Sequence, residues 1–335
     1  WFSNIIRNLS LAEEQRGGIL PVRKALICAA GPSLEDQIPM IKRIRGKQKE
    51  SESIIIAVDT SLPALLQHDL EPDAVISIDC QHISYRHFFN TLPEKTRLFL
   101  DLASPPTVAA RTKNRFFFSG GHPLSRYISR VWRPLPILDT SGANVAFAAL
   151  SLAESIGARE LTLYGADFSY PRGKTYARGT YIYSYFDQFQ SRYSPLESQH
   201  SAFLYRDSSL KKINCEFEED LWFYETSTLR FYREKVRQKE TAVYSAKSCP
   251  IYLFSTGPVK QSVNSFLKYY KKALKGFCSF DPMIDRKENE ETELLITILP
   301  LAAYFRRTNP SITSEELFII IKSWCLKELD KIIHN

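Results

Sequence analysis

Four kinds of side chain in this sequence suit group-transfer chemistry, and they recur at equivalent positions. Ala30-Gly31-Pro32-Ser33 lies between an apolar run and a polar helix. Glycine there lets a ligand approach the backbone, proline starts the helix, and the free amides of a helix N-terminus favour a phosphate. An ordinary strand-to-helix turn uses the same residues. Thr140-Ser141-Gly142-Ala143-Asn144 repeats the pattern before an alanine-rich helix, with a plain helix cap as the alternative. Asp59, Asp79 and Asp167 each close a short apolar segment. Such carboxylates can bind ribose hydroxyls, Asp59 with Asp79 can hold a divalent ion, and a strand-end aspartate can also merely cap a helix. Tyr170 and Tyr176 flank Arg172-Gly173-Lys174, and their hydroxyls can donate to a departing phosphate without adding charge, or simply cover a core. His200 is an imidazole with an ordinary pKa of about 6.5, suited to taking a proton from a hydroxyl nucleophile, though a lone histidine is also a common surface residue.

Several sharper signatures are missing. The first turn lacks the G-x-G-x-x-G of a dinucleotide site and the G-K-[ST] of a P-loop. No G-x-S-x-G elbow occurs, and no D-x-D triplet ends a strand. The six cysteines form no C-x-x-C pair, which argues against a zinc ribbon or a compact disulfide scaffold and suits a reducing compartment.

The elements that must carry these residues follow from periodicity. Phe2, Ile5, Ile6 and Leu9 keep helical spacing. Short continuous apolar runs at 25–29, 53–58, 74–78, 97–102, 115–118 and 161–164 read as strands, and the stretches between several of them read as helices. That alternation predicts an α/β, Rossmann-like, mostly parallel sheet covered on both faces. In such sheets ligands bind beyond the carboxyl ends of the strands, where Gly31, Ser33, Asp59, Asp79 and Asp167 all fall. Residues 168–206 lose the pattern, are rich in tyrosine, and read as a lid. The expected organisation is an N-terminal helix over 1–20, a nucleotide-binding unit over 21–206 that includes the lid, and a mainly helical region over 207–335.

Composition narrows the class. The chain has 335 residues, 44% of them hydrophobic, so a substantial core is available and wholesale disorder is excluded. No apolar stretch is long enough for a membrane span. The net charge of +7 is spread evenly, with 23 Lys and Arg against 19 Asp and Glu in residues 1–200 and 21 against 18 in the remainder. A nucleic-acid binder more often concentrates such charge in a stripe, so anionic small substrates are the expected partners. Trp1-Phe2-Ser3 lacks the blocks of a secretory signal, and the expected location is cytoplasmic. The chain does not begin with Met, so a longer protein can contain it.

The ordered set Ala29-Ala30-Gly31-Pro32-Ser33-Leu34, Ile56-Ala57-Val58-Asp59-Thr60, Glu71-Pro72-Asp73, Ile76-Ser77-Ile78-Asp79, Thr140-Ser141-Gly142, Gly165-Ala166-Asp167-Phe168-Ser169-Tyr170 and Gly173-Lys174-Thr175-Tyr176-Ala177 resembles the domain shared by motility-associated (Maf) flagellin glycosyltransferases and 6-hydroxymethylpterin diphosphokinases, over roughly residues 20–205. The same points resemble bacterial CMP-sialic-acid sialyltransferases. That resemblance implies that Gly31, Pro32, Ser33, Ser141 and Gly142 hold the nucleotide, that Tyr170 and Tyr176 contact its phosphate, and that His200 is the general base, with Asp207 following before a helix. Ala29 stands where a glycine is usual, Asp59 and Asp79 where the sialyltransferases carry asparagine, and Tyr176 where the flagellin group commonly has histidine.

The resulting expectation is a glycosyltransferase that moves a nonulosonic, sialic-acid-like sugar from a CMP-activated donor to Ser or Thr of flagellin, with Mg²⁺ possible but not required. The alternatives are a pterin pyrophosphokinase using ATP and Mg²⁺, with Asp59 and Asp79 as metal ligands, and a non-catalytic nucleotide-binding scaffold.

Overall fold

The computed structural model describes residues 1–15, 18–19, 21–47, 53–89, 92–214, 222–245, 254–276 and 290–334. Cys215, Cys249 and Cys278 therefore lie outside the described residues, while Cys28, Cys80 and Cys325 are free thiols.

Six parallel strands form the centre: β1 (Lys24–Cys28), β2 (Ser53–Val58), β3 (Ala74–Ser77), β4 (Arg97–Asp101), β5 (Arg115–Phe118) and β6 (Glu160–Tyr164). Their order is β5-β4-β3-β2-β1-β6. Leu26 of β1 sits opposite Ile55 of β2 and Thr162 of β6, which fixes the register at the centre. All six residues of β2 are buried, as expected of a strand covered on both faces. Alternation along the strands divides the core in two. Leu26, Cys28, Ile55 and Ala57 join one hydrophobic cluster, and Ala25, Ile27, Ile54 and Ile56 join the other. Burial pushes the Cys28 thiol up to about 12, so it is a packed and inert group.

The first cluster takes the buried faces of α1 (Phe2–Glu13), α2 (Leu34–Lys47), α3 (Leu62–Gln67), α4 (Pro106–Ala109) and α5 (Pro123–Val131). The second is closed by α6 (Val145–Ser155), alanine-rich so that it can lie close to the sheet, and by Val236 further along the chain. Between β6 and residue 206 come β7 (Tyr170–Pro171), α7 (Tyr181–Asp187) and α8 (Leu196–Leu204). The tyrosine-rich segment therefore contains two short helices that its sequence did not announce.

Residues 207–225 begin the C-terminal region with strands: β8 (Lys211–Asn214) and β9 (Trp222–Glu225) make an antiparallel sheet with β7, in the order β7-β9-β8. Helices follow as expected: α9 (Ser227–Ser245), α10 (Val263–Gly276), α11 (Glu290–Ile298), α12 (Pro300–Thr308) and α13 (Ser314–Ile333). Phe266, Tyr270, Cys325 and Leu329 from these helices enter the same cluster as Ile5 and Leu9 of α1.

Polar side chains pin α1 in place. Asn8 Nδ2 donates to the carbonyls of Leu102 and Ser104 at 2.9 and 2.8 Å. Asn4 Nδ2 donates to those of Cys80 and Ala103, both at 3.0 Å. Ser3 Oγ donates to Glu328 Oε2 of α13 at 2.9 Å. Among the described residues no helix is long and apolar enough to cross a membrane.

Candidate functional site

The winding of the sheet reverses between β1 and β6, so the crevice beyond their carboxyl ends is the expected ligand position. Two turns nest there. The Gly31 amide donates to the Gly165 carbonyl at 2.8 Å. A Cβ on Gly31 would lie 2.0 Å from Asp167 Oδ2 and 2.6 Å from the Gly165 carbonyl oxygen, so the nesting requires glycine. Ser33 donates to Asp167 Oδ2 from its amide at 3.2 Å and from its Oγ at 2.9 Å. The amide and hydroxyl expected to meet a phosphate thus already face a carboxylate of the protein. Burial raises the Asp167 carboxyl above its ordinary value despite these two donors.

Glu35, in the first turn of α2, ties the following loop down. Its carboxylate accepts from Lys174 Nζ at 2.7 Å and from the Arg178 amide. Burial pushes this carboxyl up, but the Lys174 ammonium and the Arg178 amide outweigh it and hold it below the ordinary value.

Asp59 and Asp79 occupy the neighbouring strand ends. Asp59 is buried and fully engaged: Oδ1 accepts from the Thr60 amide at 2.7 Å and the Thr60 hydroxyl at 3.0 Å, and Oδ2 accepts from Ser77 Oγ at 2.6 Å. Among the described residues Asp79 accepts only from the Gln81 amide, at 2.8 Å. Burial raises its pKa, the Gln81 amide partly offsets that, and the nearby Asp59 charge reinforces it.

The tyrosine-rich segment folds back over these strand ends. Tyr170, Tyr176 and Tyr181 all lie within electrostatic reach of the Arg206 guanidinium, and Tyr176 and Tyr181 within reach of Asp59. Burial pushes the Tyr176 hydroxyl up to about 12, which keeps it a neutral hydrogen-bond donor at any physiological pH. Arg206 is placed by its stacking on Phe203, 3.7 Å from the ring centroid, and the Phe203 ring lies 6.2 Å from that of Tyr176. Tyr181 and Arg206 were not singled out in the sequence. They reach the crevice only because α7 and α8 bring the segment back.

His200 lies in a second compartment. Its ring packs against Tyr183 and Phe186, with centroids 4.8 and 4.9 Å away, and Nδ1 is 3.4 Å from Thr175 Oγ1. Nε2 is buried and has no hydrogen-bond partner among the described residues. Burial lowers its pKa against the opposing pull of Asp187 and Glu197, so the imidazole is neutral at pH 7. Thr175 and Tyr176 are successive residues, of which Thr175 lines the His200 cavity, and the rings of Phe186 and Phe203 link His200 to Tyr176. Asp207 precedes a turn and β8, not a helix, and accepts from the Ser209 amide and hydroxyl at 2.8 and 2.7 Å.

The Ser141-Gly142 turn is held by local contacts. The Ser141 amide donates to Asp139 Oδ1 at 3.0 Å, and Asn144 Oδ1 caps α6 by accepting from the Phe147 amide at 2.9 Å. A Cβ on Gly142 would lie 2.3 Å from the Phe147 ring, so this glycine serves packing. Ser141 lines a cavity of about 580 Å³ that also includes Gly121 and Arg126, while Gly31 and Ser33 do not line it.

Asp101, at the end of β4, accepts from the amides of Ala103 at 2.8 Å and Gly120 at 2.9 Å. Burial raises its pKa to about 6 although both amides oppose this. A carboxyl whose folded pKa exceeds its unfolded value stabilises the fold below the unfolded pKa, and that contribution is lost as pH rises through the folded one. Urea unfolding of the wild type and Asp101→Asn between pH 4 and 7 checks this. The wild type should lose about 3 kcal/mol more than the variant over that window.

The comparisons with known proteins agree with this architecture. An uncharacterized protein of Treponema pallidum (strain Nichols) is 40% identical over 125 residues, covering 36% of this chain and 44% of the relative. A second from the same organism is 31% identical over 161 residues, covering 46% of this chain and 27% of that one. The chain thus spans less than half the length of these curated relatives. The solved structure of a MAf glycosyltransferase from Magnetospirillum magneticum AMB-1 superposes with a TM-score of 0.52 at 13% identity, covering 99% of this chain and 54% of the other, and that likeness establishes the fold. The family profile for 6-hydroxymethylpterin diphosphokinase MptE-like proteins matches residues 2–173, just over half of the 335 residues, and to that family the chain belongs.

Proposed function

We propose that the chain is a glycosyltransferase that moves a sugar from a nucleotide-activated donor to a hydroxyl acceptor. The donor in this reading is a CMP-activated nonulosonic acid and the acceptor a Ser or Thr of flagellin. The observation that carries it is the mixed lining of the crevice. Asp59 and Asp79 lie within electrostatic reach of Tyr181, Asp59 also of Tyr176, and Tyr170, Tyr176 and Tyr181 all lie within reach of Arg206. Carboxylates accept from ribose hydroxyls and base amines, and they repel phosphate by about 4 kcal/mol per contact at 4 Å and an effective dielectric of about 20. The nucleoside therefore belongs at the aspartates and the phosphate at the tyrosines.

In the transfer step the acceptor hydroxyl gives its proton to His200 Nε2 and its oxygen bonds to the anomeric carbon. The bond from that carbon to the phosphate oxygen breaks, with its electron pair leaving on the phosphate. Tyr170 and Tyr176 hydroxyls donate to the oxygen that gains charge, and Arg206 balances it. The likeness to a MAf glycosyltransferase supports the overall scheme through the fold.

The family description supplies a second reading, pyrophosphoryl transfer from ATP with Mg²⁺ to a pterin. The donor set fits a resident Mg²⁺ poorly. Both Asp59 oxygens already accept from Thr60 and Ser77, and among the described residues no group of three or more His, Cys, Asp or Glu side chains is placed to hold a metal ion.

Thermal unfolding with CMP, CDP, UDP, GDP and ATP, each with and without Mg²⁺, separates the readings. A ligand at about 100 times its Kd stabilises by about 2.7 kcal/mol. The expected result is a rise in Tm with CMP that needs no metal. A rise only with ATP and Mg²⁺ transfers the assignment to the pyrophosphokinase, and no rise with any nucleotide counts against both enzyme readings.

A further inference from the structure

The His200 compartment is a cavity of about 510 Å³, within the range of small-molecule sites. Its chemistry differs from that of the strand-end crevice. One wall is aromatic. Trp222 and Tyr205 both meet Tyr224 edge-on, at ring centroids 5.4 and 5.7 Å, and the Tyr205 and Tyr224 hydroxyls lie 2.8 Å apart. Arg172 and Arg178 also line it, and neither guanidinium has an ion-pair partner among the described residues, although the Arg178 charge lies within electrostatic reach of Glu35. Lys174 also lines it but is neutralised by Glu35 at 2.7 Å, and Glu197 is the one carboxylate of the lining. His200 completes the lining, with Nε2 buried and without a hydrogen-bond partner among the described residues.

We infer that this cavity binds an acidic sugar, with the ring against the Trp222–Tyr224–Tyr205 wall and the carboxylate or phosphate toward Arg172 and Arg178. The inference rests on the transferase reading for its consequence: the sugar bound here belongs to an acceptor protein that already carries it beside the Ser or Thr to be modified, and a preceding glycosylation must supply it. Aromatic walls suit the apolar CH face of a pyranose, and unpaired guanidinium groups suit an anion bound in a fork. A neutral sugar satisfies only the aromatic wall and an acidic peptide only the arginines.

The test is binding, read without any transfer assay. The protein is titrated with a glucuronic-acid-terminated disaccharide, the glucose-terminated disaccharide of the same linkage and a glutamate-rich peptide. Binding is read by Trp222 fluorescence against Trp222→Phe, and by saturation-transfer NMR, which needs no tryptophan. The acidic disaccharide should bind at least tenfold more tightly than either competitor, and Arg172→Gln with Arg178→Gln should weaken it tenfold or more while leaving the circular dichroism spectrum unchanged. Equal binding of the neutral disaccharide, tighter binding of the peptide, or no binding of the acidic disaccharide overturns the inference. A protein that binds the acidic disaccharide but no nucleotide loses the transferase reading and keeps this one. The converse loses this one alone.

Discussion

His200→Ala should lower kcat for transfer by about 10²–10⁴-fold and leave nucleotide binding intact. The physical basis is the state of the imidazole. Burial lowers its pKa, so the ring is neutral at pH 7, and Nε2 has no competing partner among the described residues. Nδ1 has only the Thr175 hydroxyl, 3.4 Å away, to fix its orientation. A base in this condition must be deprotonated to work, so kcat/KM of the wild type should fall on acidification with its acid limb displaced below the ordinary imidazole range, and the variant should lose that limb. Added imidazole, small enough for the cavity, should restore part of the rate. Thermal shift by CMP in the same variant provides the control, because His200 lines a cavity to which Tyr170, Tyr176 and the strand-end aspartates do not contribute. Full activity in His200→Ala would remove its role.

Gly31→Ala should destabilise the fold through the nested turns at the crevice. The added carbon meets Asp167 Oδ2 at 2.0 Å and the Gly165 carbonyl oxygen at 2.6 Å. The side chain can rotate away, but the carbonyl belongs to the turn that receives the Gly31 amide. Relief therefore requires β1 and β6 to separate at their carboxyl ends. Overpacking of this kind costs about 1–3 kcal/mol, sometimes more. The expected readout is a lower urea midpoint together with loss of the nucleotide-dependent rise in Tm. Adding Asp167→Gly should recover less than half of the lost stability, because the backbone contact remains. Complete recovery would show that the carboxylate alone sets the requirement for glycine.

The sheet was legible because parallel strands buried on both faces read as unbroken apolar runs, as in Ser53–Val58. The turn at Gly31 was legible because its residue types are dictated locally. What the turn meets was not. Ser33 and Asp167 are separated by 134 positions, and nothing near either residue shows that they bond to each other. The same holds for Arg206, whose position depends on Phe203 and on the fold-back of α7 and α8. β7 and β9, of two and four residues, were missed because so short an antiparallel ladder leaves no periodicity to detect. α5 was missed because Ser125, Arg126, Ser129 and Arg130 interrupt its apolar residues, although Leu124, Tyr127 and Ile128 keep helical spacing and are buried. Gly142 looked like a ligand contact, and its neighbour Phe147 explains it without one.

The pinning of α1 has a consequence for how the chain acquires its structure during synthesis. Phe2, Ile5, Ile6 and Leu9 are made long before α13, yet their cluster is completed by residues of α13, and Ser3 bonds to Glu328 across 325 positions. Such distant contacts form only after a large loss of chain entropy, which slows the final closure. Until α13 has emerged, the nascent chain holds an amphipathic helix with part of its apolar face uncovered. A ribosome stalled ahead of residue 314 should therefore present a segment that chaperones bind and proteases cut, although the parallel sheet behind it is already assembled.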